Sequence, residues 1–175
     1  MSQPAKPQVI DVEARRIRSE DEDACADFSC GSEEWHRDVS DFLTRKYWQP
    51  GRQQEHTIIA FVARTTSVFG FGCWKHTHAE VPQRPEPIPV IRLPYFGVNE
   101  PYQGARDEEG RSWAGRLYRT LEDDARADPE SLPTMPIELY CDRRNLKGLG
   151  FWQSRGFEVV REAWGDLLQL LRVPD

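Results

Sequence analysis

The chain has 175 residues and a formal net charge of −6, with 38% hydrophobic and 11% aromatic residues. This composition supports a folded core and excludes a wholly disordered chain. No apolar stretch reaches the roughly 20 residues of a membrane span, and the first ten residues lack a signal-peptide pattern. We therefore predict one cytoplasmic domain over residues 1–175, without a membrane partner. The acidic charge argues against a broad basic surface for duplex nucleic acid.

The first half of the chain predicts a strand, a helix and a hairpin. Apolar and polar residues alternate near 8–17, which is typical of a half-buried strand. Ser32 can cap a helix whose apolar residues recur from Trp35 to Trp48. Two β-branched and aromatic runs, 57–64 and 67–81, then predict a hairpin. Four cysteines without a CxxC pair predict buried thiols rather than a zinc ribbon or a disulfide framework.

The second half alternates strands and helices. The run 90–98 predicts a fourth strand, in which Pro94 marks an edge, a bulge or an interruption. A helical period covers 112–127, and the run 136–142 predicts a fifth strand. A short helix over 145–155 and two strands, 156–162 and 166–173, complete the order β, α, β, β, β, α, β, α, β, β.

Two segments carry the chemistry. In FGVNEPYQG, followed by SWAGRLYRTLEDDA, a strand leads through a glycine loop into a helix, which presents backbone N–H groups to an anion such as a pyrophosphate. A structural turn is the open alternative. In NLKGLGFWQSRGF, Gly156 permits a left-handed helix end and Phe157 returns the chain to the core.

In this order and spacing, the two segments resemble the GNAT superfamily of N-acetyltransferases. The resemblance implies an α+β fold with a mixed, mostly antiparallel sheet of six or seven strands, flanked by helices and splayed between strands 4 and 5. Acetyl-coenzyme A is expected in that wedge, where a primary amine of an acceptor attacks the thioester directly. Carried over residue by residue, the resemblance assigns cofactor contacts to Phe96, Gly97, Val98, Gln103, Gly104, Arg111, Ser112, Trp113, Ala114, Gly115, Asn145 and Trp152.

The sequence departs from the family pattern at two places. About eight additional residues, ARDEEGRS, interrupt the loop motif after Gly104, and their acidic part lies within 105–111. Arg106, Arg111 and Arg116 could pair with phosphates, whereas a solvated insertion explains the acidic residues 107–109 equally well. The second departure is Trp152, which stands where many relatives have a tyrosine that protonates the leaving thiolate. An indole cannot perform that transfer, so Trp152 either shields the thioester or packs in the core.

The predicted catalytic residues are His76, His78 and Glu138. The two histidines share one face of the third strand, and either imidazole could accept the proton of the attacking amine. Glu138 shares a face of the fifth strand with Tyr140 and could hold an ordered water. Arg92 could bind an acidic acceptor, although a surface ion pair explains it as well. Two imidazoles without a third ligand make a poor metal site, so none is predicted.

Several functional alternatives remain open at this point. The acceptor could be a small amine, a protein amine or an aminoacyl group on tRNA, because residues 28–43 resemble the early helix of GNAT toxins. A GNAT-fold module that binds acyl-coenzyme A without turnover is the alternative from a different class. A homodimer is also open.

Overall fold

The computed structural model describes residues 8–51 and 55–174. The first seven residues, on which the signal-peptide prediction partly rests, lie outside this range. The chain divides into two compact units, one containing the residues up to Cys73 and Tyr95–Glu122, the other Trp74–Pro94 and the residues from Asp123 onward. The single domain stays a prediction. No helix in the described ranges is long and apolar enough to cross a membrane.

The strands are β1 (Val12–Arg16), β2 (His56–Val62), β3 (Val68–Ala79), β4 (Ile88–Leu93), β5 (Phe96–Val98), β6 (Ile137–Asp142), β7 (Glu158–Glu162) and β8 (Leu167–Arg172). The helices are α1 (Glu22–Cys25), α2 (Glu34–Asp41), α3 (Trp113–Arg126) and α4 (Leu146–Gln153). A π turn, Phe42–Lys46, extends α2. The mixed, mostly antiparallel α+β fold is thus as predicted, with the short helix α1 added.

The fourth predicted strand is divided into β4 and β5. Pro94 has no N–H to donate, and the interruption lies at this residue and Tyr95. The two parts have different neighbours, because Ile91–Leu93 pairs in parallel with Ile137–Leu139 of β6 and β5 pairs with β3. Eight strands therefore replace the six or seven that the sequence predicted.

The first unit contains β1, β2, the first half of β3, and β5. β1 lies antiparallel to β2, and β5 lies antiparallel to β3. The core beneath them is rich in aromatic residues, and Phe42 stacks on Tyr95 with ring centroids 4.1 Å apart. Cys25, Cys30 and Cys73 are buried there, and Cys141 is buried in the second unit, which confirms the prediction of buried thiols.

Two glycines of β3 allow α3 to approach the sheet of the first unit. A Cβ at Gly70 would lie 3.2 Å from Leu117, and one at Gly72 would lie 2.6 Å from Leu121. Both leucines are buried. A larger residue at Gly72 would displace the helix, whereas one at Gly70 would first meet the backbone of β5, because Gly97 O lies 2.6 Å from its Cβ position.

The second unit has the strand order β3, β4, β6, β8, β7. β4 and β6 are parallel, and the other neighbours are antiparallel. The chain between β4 and β6 includes α3, as a parallel connection requires. A bulge between Val159 and Arg161 interrupts the β7–β8 ladder.

Candidate active site

The backbone N–H and C=O groups of β5 point alternately to the two edges of the strand. Gly97 pairs with Phe71, and the chain positions on either side of β5 bond to β3 at 2.8 Å. Because bonding alternates along an antiparallel strand, Gly97 turns its N–H and C=O towards β3. Phe96 and Val98 turn theirs towards the opposite edge. Of the three residues predicted to bond the pantetheine arm, these two have suitable backbone directions.

Two contacts connect β5 to the segment before α2. A Cβ at Gly97 would collide with Cys30 Sγ and would lie 2.8 Å from Val39, so packing explains this glycine. Gln103 Nε2 donates hydrogen bonds to Cys30 O at 2.7 Å and to Val98 O at 3.3 Å. Gln103 therefore holds the start of the glycine loop against the end of β5.

The additional residues 105–112 form an excursion that closes on itself. Arg106 and Ser112 form an antiparallel bridge, and Trp113 N donates to Ala105 O at 3.2 Å. This hydrogen bond brings the two ends of the excursion together. Gly104 and the first turn of α3 are consequently close in space, although eight residues separate them in the sequence. Gly104 has a φ of +82°, and no atom lies within 4 Å of where its Cβ would be.

Asp107 organises the excursion from within. Only 7% of this residue is exposed, and its carboxylate accepts hydrogen bonds from Arg111 Nε at 2.8 Å and Arg116 Nη1 at 3.1 Å. Burial opposes ionisation, but the hydrogen bonds from Arg111 outweigh it and lower the pKa of Asp107. Asp107 is therefore not the solvated acid that the sequence suggested. Arg111, predicted to bind phosphate, pairs with Asp107 and with Glu109 at 2.6 Å.

The first turn of α3 is fixed by its own side chains. Ser112 Oγ accepts a hydrogen bond from Gly115 N at 3.3 Å, as a helix-capping residue does. Trp113 Nε1 donates to Ile10 O at 2.7 Å, and the Arg116 guanidinium lies 4.2 Å from the Trp113 ring centroid. Ser112, Trp113 and Gly115, all predicted cofactor contacts, thus also have structural roles. The start of a helix concentrates N–H groups that lack intrahelical partners.

The predicted histidine pair has unequal surroundings in the second unit. His76 Nε2 lies 2.8 Å from Ser131 Oγ, and its Nδ1 lies 3.6 Å from a Glu130 carboxylate oxygen. His78 is exposed, and its backbone O accepts a hydrogen bond from Arg92 at 3.2 Å. The two imidazoles therefore do not act as one group.

Glu138 is the centre of a buried polar network. It is fully buried and accepts hydrogen bonds from Arg92 Nε at 2.5 Å, Gln169 Nε2 at 2.6 Å and Tyr140 Oη at 3.1 Å. Arg92 stands opposite Glu138 in the parallel register, so the pair is not the surface ion pair suggested by the sequence. Burial and the neighbouring carboxylate raise the pKa of Tyr140. Three donors thus hold the Glu138 carboxylate in place, which suits a structural role.

Asn145 caps α4. Its Oδ1 accepts a hydrogen bond from Gly148 N at 2.9 Å, which leaves the Nδ2 amide as the group that could contact a cofactor. A Cβ at Gly148 would lie 2.5 Å from Asn145 Nδ2, so the glycine makes room for the cap.

Trp152 is part of the core of the second unit. It is 8% exposed and packs edge-on against Phe157, with ring centroids 5.3 Å apart. Gly156 has a φ of +82° and Phe157 is buried, so both predictions for the end of this helix are confirmed. The position at which the resemblance expects a tyrosine is therefore filled here by a buried indole.

Sequence reasoning missed two polar residues that organise these sites. Gln169 is completely buried and links Glu138 to Glu80 O and to Arg161 Nε. The sequence feature that could have revealed it is a single amide within the apolar run LLQLLR, where a polar side chain needs a buried hydrogen-bond partner. Ser131, which contacts His76, lies in an irregular loop where nothing in the sequence distinguished it.

No protein-family model and no curated protein matches the sequence. Solved structures do match it. A protein described as a bacterial toxin aligns with a TM-score of 0.74 and 15% identity over 94% of this chain and 92% of its own. AtaTR bound with AcCoA aligns with a TM-score of 0.63 and 17% identity, over 92% of this chain and 94% of its own. The NatC complex bound to Gag peptide and CoA aligns with a TM-score of 0.62 and 14% identity, over 95% of this chain and 100% of its own. These likenesses show a GNAT-like fold.

Proposed function

We propose that this protein is an acetyl-coenzyme A-dependent N-acetyltransferase that acetylates a primary amine. The observation that carries the proposal is the closed excursion 105–112. Because Trp113 N bonds to Ala105 O, Gly104 lies near the start of α3 as in an uninterrupted loop motif. The fold is shared with AtaTR bound with AcCoA and with NatC bound to CoA, which supports the same cofactor here.

The proposed cofactor contacts are the backbone and side-chain polar groups that remain available in each unit. Phe96 bonds the pantetheine amides through its outward N–H and C=O groups, and Val98 does so through its N–H, because Val98 O already accepts from Gln103. Gly104, together with Ala114 at the start of α3, holds the pyrophosphate, since a helix start attracts anions and no side chain covers Gly104. The N–H groups of Trp113 and Gly115 already donate to Ala105 O and Ser112 Oγ, respectively. Asn145 contributes its Nδ2 amide. Gly97 and Arg111 support the site without contacting the cofactor, because β3 and Asp107 already engage them.

Bound acetyl-coenzyme A would supply an activated acetyl thioester. Trp152 cannot donate a proton to the departing thiolate, so the thiol is protonated from solvent. Ser131 and Glu130 hold His76, and three donors hold Glu138. His78, with its exposed ring, or bulk water therefore accepts the amine proton. If His78 is the base, His78→Gln removes the ascending limb of the kcat/KM pH profile, and if water is the acceptor, the profile is unchanged.

Coenzyme A binding tests the cofactor site. Native mass spectrometry should detect co-purified coenzyme A, and added coenzyme A should raise the Tm, because it binds the folded state. Gly104→Asp should abolish that shift by placing a negative charge beside the pyrophosphate. Gly51→Asp is the matched control, because Gly51 also has a positive φ and an open Cβ position. Loss of the shift in both variants, or in neither, contradicts the assignment.

Thiol release tests the reaction. The protein is mixed with acetyl-coenzyme A and a panel of small, peptide and aromatic amines, and free thiol is followed over time. Thiol release with one amine, together with an acetylated product by mass, supports the enzyme. Coenzyme A binding without turnover on any amine, including the tRNA substrate below, identifies the module that only holds acyl-coenzyme A.

The second candidate function is acetylation of aminoacyl-tRNA. AtaT complexed with acetyl-methionyl-tRNAfMet shares the fold, with a TM-score of 0.63 and 16% identity. Residues 28–43 also resemble the early helix of GNAT toxins. Incubation with acetyl-coenzyme A and charged total tRNA should then give acetylated aminoacyl groups by mass spectrometry. If only free amines are acetylated, this candidate is wrong.

A further inference from the structure

Three possible metal ligands from two distant parts of the chain lie together in the second unit. His76 comes from β3, and Asp128 and Glu130 come from the loop after α3. One ligand atom of each lies within 4.8 Å of the others. This cluster is not predictable from sequence spacing, because about fifty residues separate the histidine from the two acids.

The hydrogen bonds of His76 determine which ring nitrogen faces the acids. Ser131 Oγ donates its proton to Ala125 O at 2.6 Å, since a carbonyl oxygen can only accept. Ser131 Oγ must then accept from His76 Nε2, which lies 2.8 Å away. The neutral imidazole therefore carries its hydrogen on Nε2 and its lone pair on Nδ1. Metal-bound histidines are oriented in the same way, by donating the other ring N–H.

The lone pair of His76 Nδ1 faces an anionic oxygen. Nδ1 lies 3.6 Å from Glu130 Oε2. Two electron-rich atoms at this distance repel each other, and a cation between them would turn that repulsion into attraction. Ligands about 2.1 Å from a tetrahedral Zn²⁺ lie roughly 3.4 Å apart, close to the observed separation.

The remaining features suit an ion that enters from solvent. The His76 side chain is 22% exposed, so its ring is held within the protein, whereas the Glu130 side chain is 83% exposed and can adjust to an ion. Asp128 Oδ1 accepts a hydrogen bond from Glu130 N at 2.9 Å, which fixes the Asp128 carboxylate beside the site. One imidazole and two carboxylates form a donor set suited to a first-row divalent cation.

We propose that His76 Nδ1 and the carboxylates of Asp128 and Glu130 bind a divalent transition-metal ion, with Zn²⁺ as the best match. Water completes the coordination shell. The ion connects β3 to the loop between α3 and β6, so its role is to hold this loop against the strand. The site is independent of the proposed acetyl transfer.

The test uses the full-length protein, freed of metal with a chelator and titrated with ZnCl₂ by calorimetry. We expect one site per chain with micromolar or tighter affinity. His76→Gln and Glu130→Gln should each weaken binding by about ten-fold or more, through loss of one ligand. His78→Gln is the matched control and should bind Zn²⁺ like the parent, because its imidazole lies on the same strand outside the cluster.

Cobalt distinguishes this site from binding by cysteine. Co²⁺ should give visible d–d absorption without the intense ultraviolet band of thiolate ligation, and Zn²⁺ should displace it. The proposal is overturned if the parent does not bind Zn²⁺, if the two variants bind it unchanged, or if thiolate absorption appears. In any of these cases, His76, Asp128 and Glu130 do not form a metal site.

Discussion

Replacing Glu138 by glutamine keeps the size of the buried side chain and removes its charge. Its two oxygens accept from opposite sides, one from Arg92 and the other from Tyr140 and Gln169. A glutamine amide supplies only one acceptor oxygen. In one orientation its NH₂ group points at the Arg92 guanidinium, and in the other it points at the Gln169 amide. Neither orientation satisfies all the buried donors.

The expected cost follows from the burial of this pair. Breaking a buried ion pair by neutralising one partner costs about 3–5 kcal/mol, because the other charge stays without compensation. The Arg92 side chain is 25% exposed, so water recovers part of the loss, and we expect the lower end, about 3 kcal/mol. For a chain of this length, that corresponds to a Tm roughly 6–12 °C lower.

Urea denaturation of the parent, Glu138→Gln, Arg92→Met and the double variant measures this cost. Because the double variant removes both charges, its loss of unfolding free energy should be smaller than the sum of the single losses by about 2 kcal/mol. The m-value should not change. A loss below about 1 kcal/mol for Glu138→Gln, with additive effects in the double variant, would refute the role of this network.

Three further predictions concern other parts of the chain. Gly150→Ala should stabilise the protein by about 0.5–1 kcal/mol, since no atom obstructs a Cβ there. Gly148→Ala should lose that gain, because its Cβ displaces the Asn145 cap. Thermal unfolding of the two variants and the parent compares these effects. Hydrogen bonds from Arg144 lower the pKa of Asp142. The ionised Asp142 therefore adds to the free energy of unfolding above about pH 4, and this contribution is lost as the pH falls further. Asp142→Asn should flatten this part of the profile of unfolding free energy against pH, measured by urea titration at each pH. Burial raises the pKa of Cys25 and Cys30 to about 12 and that of Cys141 to about 11, so iodoacetamide at pH 8 should modify these thiols only after denaturation, as judged by mass; rapid labelling of the folded protein would contradict their burial.

The order of the elements was predictable because it depends on local patterns. Alternation of period two marked β1, β-branched and aromatic runs marked β2 and β3, and a 3.6-residue period marked α3. The backbone conformation at Gly156 was also predictable, since a glycine at a helix end has few other uses. Pro94 also indicated the division of the fourth strand. A proline has no N–H to donate to a neighbouring strand, wherever it lies in the fold.

The polar contacts were not predictable from the same patterns. The pairing of Arg92 with Glu138 depends on the register of two parallel strands, which their separate sequences do not specify. Asp107 lies in a run of acids that is typical of a solvated loop, and only the turn of the chain brings Arg111 and Arg116 around it. The sequence does not decide the role of Trp152, because an aromatic residue in this position can either pack in the core or face a ligand.

The pairing of the excursion with the first described residues has a consequence for the order of folding. Ile10 N donates to Arg106 O at 3.1 Å, and Trp113 Nε1 donates to Ile10 O across 103 positions of sequence. The neighbouring β1 can pair with β2 once residue 62 has been made, and Asp11 O then accepts from Ala63 N at 2.9 Å, but these two contacts of Ile10 require residues up to 113. Contacts of such sequence separation form slowly, because a long loop must close first. The docking of Ile10 onto the excursion is therefore expected to follow the pairing of β1 with β2.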